Sequence, residues 1–446
     1  MMKRKNSLTF LAASVLSLGV IAPIGFRAGK ELIQNKTEET RVSSVEEKEI
    51  TVSYPQEGQN VTILKRPVAE YIQAMYKQAE AIENDYILHD FYAIPDPNGS
   101  NPAYGAVYEN DTDKVRIDDY WGNSGINGRS KSVYLIFDSK GLDENAEYTV
   151  RYGLNSDLSD AKTLTTTSKF VIIENLLADT TYYWDVTSGE TTTGIKSFKT
   201  NEGYRMISAG GVTNVRDMGG RPVAGGKHIK QGIIFRGAEF VREDYVPTDS
   251  TSTHHKTLDE KALQIMQQEL KIGYEFDLRG DAESGNLTES PLKDANYTDV
   301  LYARIPNMSA YNGFFDMNDT MKGQFADMLR AFGQAETRHC YFHCWGGADR
   351  TGTTGFILGG LLGMSYTDLI IDFELTSFAG NYRPHYKNDS NKIYLFPRLI
   401  WKLMNSSQYK ANPNITISQL IEDILVDKFG MTHAEIATIK SNLLED

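Results

Sequence analysis

Two hydrophobic periodicities divide the chain. Between about residues 50 and 200 the apolar positions fall in short β-type runs, at 132–137, 148–152, 169–173, 181–186 and 195–198, separated by Asn, Asp, Gly and Ser. That spacing predicts an all-β sandwich. Ahead of these runs Val68, Tyr71, Ile72, Met75, Ala79 and Ile82 recur at helical intervals. They predict an amphipathic helix over 67–83 packed on the sandwich, with a partner-binding helix as the alternative. From about 201 onward strand and helix signals alternate: strands at 232–235, 274–277 and 340–343, helices at 258–270, 321–332 and 354–363. This order predicts an α/β sheet flanked by helices, with ligands taken at the C-terminal ends of its strands.

The first residues read as a targeting segment. Met1 to Asn6 is basic, and 8–26 is apolar apart from small or hydroxyl residues and Pro23. The pattern predicts export, with 1–28 either a cleaved signal peptide or an uncleaved membrane anchor. The absence of cysteine there excludes a lipoprotein anchor, and 29–49 is a polar linker. The stretch 86–129, rich in Asn, Asp, Gly and Tyr, is open to two readings: a polar aromatic surface for glycan or cell-surface contact, or a long decorated loop.

Composition narrows the partners. A net charge of −13 over 446 residues argues against nucleic acid or an acidic membrane as the main partner. The two cysteines, Cys340 and Cys344, would stand about 13 Å apart along a strand, beyond disulfide reach. Cys340 reads as a small buried residue, with a redox partner for Cys344 as the alternative. His254 and His255 stand alone in a Thr/Ser-rich loop, and no spacing of His, Cys or carboxylates predicts a metal or other cofactor.

The chemistry concentrates between Tyr341 and Gly352, which read Tyr-Phe-His-Cys-Trp-Gly-Gly-Ala-Asp-Arg-Thr-Gly. A phosphate-monoester hydrolase of this type needs a thiolate, a ring of backbone N–H groups, a cation for the equatorial oxygens and a proton donor for the leaving oxygen. Cys344, after an apolar strand and before an apolar helix, would sit at a helix N-terminus, where anions are favoured. Trp345, Gly346, Gly347 and Ala348 supply the turning backbone. Arg350 can grip two phosphate oxygens, Thr351 can donate to the sulfur, and Asp349 is the nearest candidate acid. Ionising the thiol fully gains only about 2 kcal/mol, so the amides and Arg350 must carry most of the barrier reduction.

With this loop the sequence resembles the cysteine-dependent protein tyrosine phosphatases, in particular the secreted bacterial tyrosine/serine phosphatases whose loop reads His-Cys-x-x-Gly-Lys-Asp-Arg-Thr-Gly. Asn214-Val-Arg-Asp-Met-Gly-Gly220, Phe235-Arg-Gly-Ala-Glu239 and Phe276-Asp-Leu-Arg279 are similar to further blocks of that family, as are the helical stretches 364–376 and 429–436. The resemblance implies Cys344 as nucleophile through a cysteinyl-phosphate intermediate, Arg350 as phosphate binder and Asp349 as acid. It also places Asp277 near the pocket, either catalytic or paired with Arg279. His343, Arg216 and Arg236 are expected to support loops.

Two positions depart from the family pattern: Ala348 replaces its loop lysine, and Gly237 replaces a serine. The missing lysine ranks phosphotyrosine protein above phosphoinositides or inositol phosphates. Trp345 either lines the pocket or packs in the core. The competing class is a phospholigand- or surface-binding protein without turnover. Leu177-Ala-Asp-Thr-Thr-Tyr-Tyr-Trp184 resembles the tyrosine-corner strand of fibronectin type III domains. The expected organisation is therefore a fibronectin III/Ig-like sandwich over 50–200 and a tyrosine phosphatase-like α/β domain over 201–446.

Overall fold

The computed structural model describes residues 47–88, 111–122, 125–241, 258–386 and 395–446. The apolar run at 8–26, His254-His255 and about half of the 86–129 stretch lie outside them. Among the described residues no helix is long and apolar enough to cross a membrane.

Among the described residues nine strands precede residue 201. β1 (Glu49–Tyr54), β3 (Val133–Lys140) and β6 (Phe170–Ile173) form one antiparallel sheet. A second sheet runs in the order β2 (Gln59–Val61), β9 (Lys196–Thr200), β7 (Thr181–Ser188), β4 (Tyr148–Gly153), β5 (Lys162–Thr166), with β8 (Thr191–Thr192) on β7. The inward residues of both sheets, among them Val133, Leu135, Phe137, Val150, Trp184 and Phe198, close one core. Strand alternation accounts for this, since every second side chain of β3 and β7 faces the other sheet. The Tyr182 hydroxyl accepts the Leu177 N–H at 2.9 Å, closing the corner before β7.

The C-terminal part is built on a five-stranded sheet in the order β10 (Arg216–Asp217), β12 (Ile234–Gly237), β15 (His339–His343), β13 (Ile272–Asp277), β14 (Leu301–Arg304). Its four long strands are parallel, and β10 is antiparallel to β12. A separate pair, β11 (His228–Ile229) and β16 (Leu444–Glu445), ties the chain's end to the domain. On β15 the alternation sends Cys340 and Phe342 to one core and Tyr341 to the other. The first core is covered by α4 (Asp319–Phe332), α5 (Asp349–Leu362), α6 (Tyr366–Glu374), α7 (Leu395–Met404), α9 (Ile417–Phe429) and α10 (His433–Leu443), with the short α8 (Ser407–Ala411) beside them. The second is closed by α2 (Glu260–Gln264) and the π-helical turn Ile265–Glu269, which together replace the single helix predicted over 258–270. The short α3 (Asp281–Ser284) follows β13.

The helix predicted over 67–83 forms as α1 (Arg66–Ala79), but it does not pack on these two sheets. Its buried face, Val68, Tyr71, Ile72 and Met75, joins the core of the C-terminal part. The two β-sheets already close on one another and leave no inner face for a helix, whereas α6 offers hydrogen-bond acceptors. The Tyr71 hydroxyl donates to Glu374, and that of Tyr76 donates to Asp368 at 2.7 Å. Leu64, Leu88 and Ile117 join the same core, although all of these residues lie ahead of 201. Tyr71→Ala should cost about 3–5 kcal/mol in denaturant unfolding. Ile172→Ser, on the exposed face of β6, should stay within about 0.5 kcal/mol of the parent.

Candidate active site

Cys344 stands buried just beyond the C-terminal end of β15, and α5 begins five residues later at Asp349. Between them the backbone carbonyls are pulled to one side. Asn214 Nδ2 donates to the Gly346 and Gly347 oxygens at 3.1 and 3.0 Å, Asn381 Nδ2 to Gly346 O at 3.1 Å, and Arg236 Nη2 to Gly347 O at 3.0 Å. In a planar trans peptide the N–H points opposite to the C=O. Holding those carbonyls therefore turns the amides of Gly347 and Ala348 to the other face of the loop. Gly347 has φ +67°, and a Cβ there would lie 2.3 Å from the Gly237 carbonyl, so no other residue fits. The helix N-cap is Ala348, which offers no side-chain acceptor, so no cap competes with an anion for the first amides of α5.

Beneath the loop lies a buried charge cluster. The Asp372 carboxylate on α6 pairs with Arg216 Nε at 3.0 Å, with Arg221 Nη1 at 2.9 Å and with Arg236 Nη1. All three arginines are fully buried. Burial and repulsion by Arg216 push the Arg236 guanidinium down to about 9. Burial alone would raise the Asp372 carboxyl, but the three arginines hold it far below the usual carboxylate range. Three cations against one anion leave a positive surplus, with Arg236 touching the loop. Asn214 takes φ +59°, a left-handed conformation that Asn tolerates, and its Oδ1 accepts from Arg216 Nη1 at 2.6 Å while its Nδ2 serves the loop.

The two helix-borne residues expected at the phosphate are both engaged. Arg350 grips Glu283 of α3 through both terminal nitrogens, at 2.5 and 2.8 Å, and donates to Leu278 O at 3.1 Å. Asp349 accepts from Arg383 at 2.7 and 3.2 Å and from the Tyr311 hydroxyl at 2.6 Å. Burial raises its carboxyl, but these bonds and the charges of Arg383 and Arg350 hold it below the usual range. Tyr311 itself has φ +55°, an uncommon conformation for an aromatic residue.

The sequence of 207–445, more than half the chain, matches the model of the tyrosine phosphatase family. This chain belongs to that family. No curated protein matches it at a significant level. Among solved structures, it is similar to the core catalytic domain of the PP-IP phosphatase SIW14 from S. cerevisiae, at 14% identity and a TM-score of 0.24, over 44% of this chain and 89% of that one.

The other residues singled out in this phosphatase sort by their contacts. Asp277 is fully buried and bound by Arg279 through its backbone N–H and guanidinium, and by the Tyr302 hydroxyl at 2.8 Å. Burial raises its carboxyl, yet His343 and Arg279 bring it down to about 2. Arg279 also reaches Glu239 at 2.8 Å. Trp345 is half-buried, and its carbonyl accepts the Glu239 N–H at 3.2 Å. The expected bond from Thr351 to the Cys344 sulfur is not made: α5 starts earlier than predicted, Thr351 lies in its first turn, and its buried hydroxyl has no partner among the described residues. Cys340 is buried, and burial pushes its thiol up to about 12.

His343 bridges Cys344 and a carboxylate. Its Nδ1 lies 3.1 Å from Cys344 O and its Nε2 2.8 Å from Glu275 Oε1. Both neighbours are acceptors, so the two ring nitrogens link the start of the loop to a buried carboxylate on β13. Glu275, Asp277 and His343 bring ligand-type atoms within 4.8 Å of one another, a grouping not evident from their spacing in the chain. Arg279 and Tyr302 occupy Asp277, while Ser290 and His343 occupy Glu275, so these atoms serve hydrogen bonds.

Sequence reasoning missed Glu283, Asn381 and Arg383 because none has a distinctive neighbourhood; only the fold brings them to the loop. It flagged Gly237 without explaining it. A Cβ at Gly237 would lie 2.3 Å from the Tyr341 hydroxyl, which donates to Ala238 O at 2.6 Å. Gly237→Ser should therefore cost about 1–3 kcal/mol, and adding Tyr341→Phe should cost less than the sum of the two single changes by at least about 0.5 kcal/mol in a double-mutant cycle.

A second expectation concerns acid. A carboxyl lowered to about 2 from an unfolded value near 3.9 contributes stability that is fully present above pH ~4. That contribution is lost as pH falls through about 2. Urea midpoints measured at pH 5, 3 and 2 should fall steeply for the parent and less steeply for Asp277→Asn.

Proposed function

We propose that this phosphatase is a protein tyrosine phosphatase that works through a cysteinyl-phosphate intermediate. The observation that carries this reading is the loop itself: Cys344 at a strand end, two amides turned by outward-held carbonyls, and an uncapped helix N-terminus. In the proposed reaction the Cys344 thiolate attacks phosphorus in line with the leaving oxygen. The loop amides and Arg350, exchanging Glu283 for phosphate oxygens, take up the equatorial charge. Asp349 gives its proton to the leaving oxygen, then removes one from the water that hydrolyses the intermediate.

Asp349 is preferred to Asp277 as the acid because of what surrounds each. Asp277 is sealed in an ion pair and held at about 2, where only about one molecule in 10⁵ carries the proton at pH 7. Asp349 is partly exposed on the first turn of α5, where an incoming dianion opposes Arg383 and raises its proton affinity.

Charge balance supports phosphotyrosine over inositol polyphosphates. Arg350 is matched by Glu283, Arg383 by Asp349, and Arg279 by Asp277 and Glu239. With Ala348 in place of lysine, these arginines leave little surplus charge at the rim for a second phosphate. The buried surplus beneath the loop serves the one phosphate seated there.

The all-β module is proposed to be fibronectin type III-like, a reading supported by the Tyr182 to Leu177 corner bond, and to carry surface or glycan contacts. Export is proposed from the basic and apolar N-terminal residues.

The test is turnover of a phosphotyrosine peptide, a phosphoserine peptide, phosphatidylinositol phosphates and inositol hexakisphosphate, each with a Cys344→Ser control. Phosphotyrosine turnover that disappears in Cys344→Ser while phosphate binding persists is the expected outcome. Asp349→Ala should lower kcat by about 10²–10⁴. For the parent, kcat/KM should fall as pH rises, since the acid must be protonated and the Arg383 ion pair depresses it. Preference for inositol substrates would overturn the substrate assignment, and phosphate binding without turnover would make the chain a phospholigand-binding protein.

A further inference from the structure

Upstream of the sheet that carries Cys344, residues 117–122 and 125–128 lie against the segment that follows α6. The 3-10 turn Ile126–Gly128 is pressed on the 3-10 turn Leu375–Ala379: a Cβ on Gly128 would lie 2.9 Å from Ala379. Just beyond, the side chains of Asn381, Tyr382 and Arg383 divide between two neighbours. Asn381 and Arg383 face the catalytic loop, the first on Gly346 O at 3.1 Å and the second on Asp349 at 2.7 Å. Tyr382 faces the upstream segment. Its ring stacks on Trp121 with centroids 4.8 Å apart and planes 29° off parallel, and its hydroxyl donates to Asp118 at 2.5 Å. The Tyr386 hydroxyl donates to the other oxygen of Asp118.

We infer that Asp118 and Trp121 are positioning residues for this site. They fix Tyr382, and through the backbone on either side of it they set where Asn381 holds the loop and how firmly Arg383 holds Asp349. A segment between β2 and β3 thereby sets the geometry and proton affinity of a carboxylate more than two hundred residues downstream in the chain. The inference rests on the reading of the loop as a phosphate site and of Asp349 as its acid, and it goes further in assigning work to residues outside the family match, which begins at 207.

Stacking of two aromatic rings is worth about 0.5–1.5 kcal/mol beyond area burial, too little to decide whether the domain folds. Small displacements of catalytic groups cost far more in rate than in stability, about 10²-fold for a misplacement of an ångström. A variant that loosens Tyr382 should therefore leave the fold in place and damage function.

The experiment uses the full chain with Asp118→Ala, Trp121→Ala and Trp121→Phe, each checked for an unchanged unfolding midpoint. With p-nitrophenyl phosphate, the two alanine variants should lose about 10- to 100-fold in kcat with KM changed less than about threefold. The alkaline limb of their kcat/KM profile should move to higher pH, because a slackened Arg383 no longer depresses the Asp349 carboxyl as far. Trp121→Phe, which keeps a ring against Tyr382, should restore kcat to within about threefold. Calorimetric titration with inorganic phosphate supplies a readout independent of turnover: both alanine variants should bind at least about tenfold more weakly. If the parent hydrolyses nothing, the enzymatic reading fails, and this titration still decides the positioning role. Unchanged kcat, pH limb and phosphate affinity in folded Asp118→Ala and Trp121→Ala would overturn the inference, as would losses that only track a lowered unfolding midpoint.

Discussion

Three arginines held by one carboxylate form the constraint on which the rest of the site depends. Asp372 reaches Arg216 from β10, Arg236 from β12 and Arg221 from the loop between β10 and β11, so a single side chain on α6 ties the sheet edge to the helical layer. Such a cluster is costly to bury, since desolvation opposes every member and two of the three positive charges are not matched within it. It persists because each guanidinium is also hydrogen-bonded or stacked. Arg216 holds Asn214 and the Asp372 carbonyl, Arg221 lies 4.4 Å from the Tyr204 ring, and Arg236 holds Gly347 O. Of the three, Arg236 brings its charge to the loop, through Gly347 O.

This arrangement explains why the loop needs so little from its own side chains. At an effective dielectric of about 20, two unit charges 4 Å apart interact by about 4 kcal/mol, and buried charges are screened less by salt than exposed ones. Fixed cations beneath the loop and amides turned into it act without reorganising during the reaction. The rim can meanwhile remain nearly neutral, with each arginine matched by a carboxylate. Arg350 is held by Glu283 through both terminal nitrogens, the pair proposed above to pass to phosphate oxygens.

What the sequence revealed followed the range of the physical signal. Strand runs and the loop were legible because period-2 apolar alternation, a turning Gly-Gly pair and a helix start are local properties, and every predicted strand lies within a few residues of an observed one. Gly237 was visible as a departure, but its cause is Tyr341 on the neighbouring strand, and only strand pairing brings the two together. The packing of α1 was misread for a related reason. Its apolar stripe specifies that one face is buried, yet Val68 and Tyr71 carry no mark of which core receives them. Glu283, Asn381 and Arg383 are ordinary polar residues in their local context and acquire a role only through contacts more than thirty residues away along the chain.

The same contacts weaken a division of the chain into an independent β-module and an independent phosphatase. The α/β core includes Leu64, Val68, Tyr71, Ile72, Met75, Leu88 and Ile117, all ahead of the strand β3. The Asp85 backbone and carboxylate accept N–H groups of Tyr366 and Thr367 at the start of α6, the helix that carries Asp372. The chain therefore lays down β1 and β2, gives α1 to the α/β core, returns to complete the two β-sheets, and then builds the α/β sheet. Arg205 spans the junction between the two sets of strands by pairing with Asp217 while donating to the Asn175 and Leu176 carbonyls.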